Sequence, residues 1–143
     1  MVTSGNTRKN KIKTTAEHNC CACDYLCKTQ DFPDWIITTA FYAAIHYIDL
    51  IIFPIEEDIK GKKVIFDSID SYVHNYLRMF RNIEISKHEA RQDLIQRKYP
   101  ELFPAFKGLY DASTKARYTD YQAYTYDDAL IFRKDLESIK NKT

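Results

Sequence analysis

Glycine occurs only at Gly5, Gly61 and Gly108. Three glycines so far apart cannot build the G-x-G-x-x-G of a dinucleotide site or a phosphate-cradling P-loop. They also cannot flank a hydrolase nucleophile turn, and the zinc-protease H-E-x-x-H is missing because Gln92 stands where the second histidine is needed. No run alternates apolar and polar residues as a half-buried strand does. A secretory apolar stretch is lacking as well, so no export is indicated and a cytoplasmic location is expected. Cys20, Cys21, Cys23 and Cys27 are confined to eight residues, with no second Cys or His pair at zinc-site spacing. Buried thiols on one helix face are expected, and neither a metal nor another cofactor.

What remains is one domain's worth of chain: 143 residues, 45% hydrophobic and 29% charged. The net charge of +1 is unevenly spread. Arg8, Lys9, Lys11 and Lys13 are unopposed in residues 1–13; taking those four from 21 basic residues leaves 17 against 20 acidic ones. Residues 1–13 are expected as a flexible basic tail, able to touch nucleic acid, and residues 14–143 as a single helical domain.

The spacing predicts an all-α bundle of four to six helices. Thr14 to Glu17 reads as a capping box opening a first helix that ends near Lys28. Trp35 to Phe53 is apolar on nearly every side, as in a buried central helix. A membrane span competes, but His46 and Asp49 argue against it. Glu56 to Lys63 reads as a polar connection. Ile65, Ile69, Tyr72, Tyr76, Phe80 and Ile83 then recur at helical steps. Ser86 to Glu89 is a second capping box, opening a helix that stops before Pro100. One helix follows Pro104, and a last one runs from Tyr126 to about Lys140.

Three features carry candidate chemistry. Thr39, Tyr42, His46 and Asp49 share a narrow face of the central helix, as a polar network or a cleft wall. Lys87, His88 and Arg91 surround a helix start, where a docked anion would balance their charge. His88, so near a helix start, is expected outside the core. Arg117 continues the stripe of Phe106, Leu109 or Tyr110, and Ser113, and needs a partner: Asp49 or a bound phosphate.

The segments Phe41-Tyr42-Ala43-Ala44-Ile45-His46, Ser86-x-His88-x-x-Arg91 and Leu109-Tyr110-x-x-Ser113-x-x-Ala116-Arg117-Tyr118 resemble the HEPN superfamily, in particular its stand-alone prokaryotic branch. The resemblance spans roughly residues 17–118. It implies an up-and-down helical bundle, often a homodimer, met in toxin–antitoxin, CRISPR and phage-defence settings. It further implies a metal-independent endoribonuclease with an Arg-x4-6-His motif, which Arg81-Asn82-x5-His88 matches; His88-x-x-Arg91 is the rival pairing. On that reading His88, Arg91 and Arg81 are the catalytic candidates. Lys87, Arg117, Tyr118 and His46 would hold RNA. An adjacent nucleotidyltransferase antitoxin would favour the toxin reading. Other members lack the nuclease motif and serve as binding modules for RNA, a nucleotide or a protein, which is the alternative here.

Overall fold

The computed structural model describes residues 4–143. Helix α1 (Ser4–Thr29) is followed by α2 (Pro33–Ile52), strands β1 (Ile55–Ile59) and β2 (Lys62–Phe66), and the short α3 (Ile69–Ser71), which runs into a π-helix at Tyr72–Arg78. Then come α4 (Lys87–Lys98), a 3-10 turn at Pro100–Leu102, α5 (Phe103–Tyr118) and α6 (Tyr126–Lys140). The chain is 73% helical, so the all-α class and the four-to-six-helix bundle hold.

The core is organised around α2. Twelve of its 20 residues are buried, and α1, α5 and α6 pack along it. Among the described residues it is the one helix long and apolar enough to cross a membrane; in this fold the apolar surface is spent on neighbouring helices. Pro33 sits in its first turn, where a missing N–H costs nothing. The turn before it is tight, with Gln30 and Phe32 at positive φ.

Three expectations change. The first helix does not begin at a Thr14 capping box: the basic segment is already helical from Ser4 onward. The Thr14 and Thr15 hydroxyls donate to the carbonyls of Asn10 and Lys11, 2.8 and 2.9 Å away, so the helix continues back through Lys13, Lys11 and Arg8. Residues 1–3 of that segment lie outside the described residues. Secondly, the polar connection after α2 is a β-hairpin. Ile55 pairs with Phe66 and Ile59 with Lys62; Lys60 and Gly61, both at positive φ, make the two-residue turn. Its burial alternates along the strands, but half-buried Glu57 and exposed Ile65 break the apolar–polar alternation that the sequence would need to show it. Finally, the helix expected to reach Ile83 starts at Ile69 and loosens into π turns. Met79 and Arg81 donate to carbonyls five residues back; Tyr72 and Tyr76 face the core with their rings together, while Ile65 in β2, Phe80 and Ile83 are exposed.

Candidate functional site

Helix α2 contributes Tyr42, His46 and Asp49, spaced four and three residues apart and therefore on one face. Thr39, on the same face, spends its hydroxyl on the carbonyls of Trp35 and Ile36. Asp49 is buried. Its carboxylate accepts two hydrogen bonds from Arg91 on α4, Nε at 2.7 Å and Nη2 at 2.9 Å. This fork satisfies both charges away from water. It also corrects the expected Asp49–Arg117 pair and removes Arg91 from the groups free to grip a phosphate.

Helix α4 begins with the expected capping box. The Ser86 hydroxyl accepts from the Glu89 N–H at 3.1 Å, and the Glu89 carboxylate accepts from the Ser86 N–H at 2.7 Å. That cap fixes the first turn and turns Lys87 toward Asp70. His88 is half-buried instead of lying outside the core. Its ring sits between Phe41 of α2 and Tyr110 of α5, at centroid distances of 5.5 and 5.6 Å. Its Nδ1 is buried with no hydrogen-bond partner among the described residues. Burial pushes the His88 pKa below its ordinary value, and the charges of Arg91 and Arg117 push the same way. The imidazole is therefore held neutral near pH 7. Burial lowers the pKa of His46 as well, against the pull of Asp49.

Helix α5 supplies Arg117. Its Nη1 donates to the hydroxyls of Tyr42 at 2.9 Å and Tyr118 at 3.3 Å, and its Nε to the carbonyl of Ser113 at 3.3 Å. The guanidinium carbon lies 5.8, 5.4 and 4.8 Å from the rings of Phe41, Tyr42 and Tyr118. Aromatic faces attract a cation without neutralising it. Arg117 forms no ion pair with a described carboxylate. Phe41 thus touches both His88 and Arg117, which the sequence separates by a whole helix. His88, Arg117, Tyr42, Tyr118 and Tyr110 form one half-open constellation with an unspent positive charge.

Arg81 does not join it. It lines a separate groove with Asp93 and Arg97. Those two residues lie five and nine positions after His88 on α4, about 140° and 180° around a helix that turns about 100° per residue. The Arg81–His88 pairing is corrected on that ground: the exposed bend after the π-helix carries Arg81 to the opposite face of α4.

On the other side of the Arg91–Asp49 pair, His46, Lys87 and Arg91 open into a cleft of about 360 Å³ whose far wall carries Arg8 and Lys11. Sequence reasoning assigned these two residues to a tail, and the Gly5, Asn6, Thr7 and Asn10 set among the basic residues give no local signal that would have placed them on a helix. It named Phe41 and Tyr110 only within the family-like segments and the Arg117 stripe and gave them no role at the site, because aromatic residues at helical spacing read as core. Of the cysteines, Cys20 and Cys23 are buried, and burial pushes the Cys23 thiol up to about 12. Among the described residues no three His, Cys, Asp or Glu side chains gather as a metal site would need. Comparison with family models, with curated proteins and with solved structures finds no match.

Proposed function

We propose that this protein is a HEPN-like, metal-independent endoribonuclease in which His88 moves the proton and Arg117 holds the phosphate. The observation that carries the reading is the meeting of a neutral histidine and a carboxylate-free arginine on one aromatic ring, Phe41. A neutral imidazole accepts a proton. With Nδ1 buried, Nε2 is the nitrogen left to take it from a ribose 2′-hydroxyl. The 2′-oxygen then bonds to phosphorus and the bond to the 5′-oxygen breaks, leaving a 2′,3′-cyclic phosphate and a 5′-hydroxyl that takes its proton from solvent. Arg117 stays charged throughout and stabilises the extra negative charge on phosphorus oxygens. Tyr42 and Tyr118 orient its guanidinium. Arg91 is a positioning residue: pinned to Asp49, it helps keep His88 neutral.

The proposal includes a cytoplasmic homodimer acting on RNA, with a nucleotidyltransferase antitoxin as the kind of partner that would restrain it. His88→Ala should lower cleavage of single-stranded RNA by roughly 10²–10⁴, and Arg117→Ala should weaken both binding and cleavage. A protein in which either change leaves the cutting rate intact would sink the assignment. The second reading, RNA binding without cleavage, is favoured by the packing of His88 between two rings. It would be recognised by RNA binding that needs Arg117 but is never followed by strand scission.

A further inference from the structure

We propose that the cleft walled by the first turns of α1 is a separate phosphate-binding site. Residues 4–13 of α1 bury nothing beyond partial cover of Ile12, yet they are helical and lean over the seam between α2 and α4. The cleft they close, about 360 Å³, falls in the range of roughly 300–1,000 Å³ typical of ligand pockets. Its charges do not cancel. Asp49 at the floor is consumed by Arg91. Asp67 is paired with Arg8 at 3.3 Å, and Asp70 with Lys87. Each carboxylate lining the cleft thereby has one cation, and Lys11 lines it without an ion pair to any described residue. His46 adds a half-buried ring that makes no hydrogen bond with a described residue. The Arg8–Asp67 and Lys87–Asp70 pairs are exposed, so they hold little against a competing anion. A phosphate entering here meets Lys11 directly, draws Arg8 and Lys87 off their aspartates, and hydrogen-bonds to the His46 ring.

The chemistry recognised is a phosphate on a nucleoside, either free or within a single strand, and the site stands whether or not the protein cuts RNA. Two probes separate the sources: adenosine 5′-monophosphate, and a fluorescently labelled single-stranded RNA titrated over a range of salt. Lys11→Ala and Lys87→Ala should each weaken binding. With the RNA, each should also flatten the slope of log affinity against log salt by about 0.7, the share of one phosphate contact on a single strand. Asp70→Asn, which releases Lys87, should tighten binding; a gain of that kind cannot come from misfolding. Loss with both probes, or with one alone, supports the site and names its ligand. Unchanged affinity for both probes in both lysine variants would overturn it. Loss of RNA binding in Arg117→Ala but not in the lysine variants would overturn it too, while leaving the His88–Arg117 proposal standing.

Discussion

Arg91 and Arg117 reach the same seam from α4 and α5, but their surroundings give them different work. Arg91 is 6% exposed and forked onto Asp49, so removing the acid strands a buried charge. Asp49→Ala should cost about 3–5 kcal/mol in chemical denaturation, the range for breaking a buried pair from one side; a loss under 1 kcal/mol would mean the pair is solvated. Arg117 gives up packing, two bonds to hydroxyls and one to a carbonyl of its own helix when replaced, so Arg117→Ala should be milder on stability than on RNA. Arg81→Ala, on the far face of α4, should change neither. The histidines make stability depend on pH. With folded pKa values of His46 and His88 below the ordinary value of about 6.5, the unfolded chain binds more protons as pH falls through that value. Their stabilising contribution is therefore whole above about pH 6.5 and is lost progressively below it. Denaturant midpoints from pH 7.5 down to 5.5 should fall, and the His46→Gln, His88→Gln double variant should flatten the decline. That Asp49 and Arg117 each needed a partner was legible in the sequence, since polar groups on apolar stripes always do. Which arginine met which partner was not, because the 42-residue separation of Asp49 and Arg91 leaves the choice to how α4 crosses α2.

At the scale of elements, local signals were read well where they are self-contained. The Ser86 box and the break at Pro100 both sit where side-chain and backbone chemistry within four residues decide the outcome. Replacing Ser86 by Ala should cost about 1 kcal/mol, as loss of an N-cap does, and should also loosen the turn that aims Lys87 and His88. A melting curve identical to that of the parent would show that the cap holds nothing. The signals failed where tertiary contacts rule. The Thr14–Glu17 pattern carries a capping-box sequence, but the threonine hydroxyls turn back onto their own helix instead. The hairpin escaped notice because its strands bury only Ile55 and Phe66, and the exposed Ile65 imitates the next helix's stripe. Tyr72 and Tyr76, on the π turns, both reach Phe66, a contact that no periodicity announces.

For the whole molecule, the aromatic residues are divided between a core and an outer skin. Phe41, Tyr72 and Phe106 are buried, while Phe32, Trp35, Tyr118 and Tyr121 are each more than half exposed. Tyrosine and tryptophan on a surface favour association, since each joins apolar area to a polar tip. A homodimer is the expected state, and light scattering should return twice the 16.9 kDa chain mass; the single-chain mass at every micromolar concentration would contradict it. Two-fold symmetry would place two His88–Arg117 sets in one assembly, so a single RNA could meet both. The central claim is the metal-free chemistry of that pair, and the most direct test is end-group analysis of RNA incubated with the purified protein in excess chelator. Fragments ending in 2′,3′-cyclic phosphate, formed by the parent protein and missing with His88→Ala and Arg117→Ala, are the expected result. Intact RNA, or cleavage that persists in both variants, would contradict it.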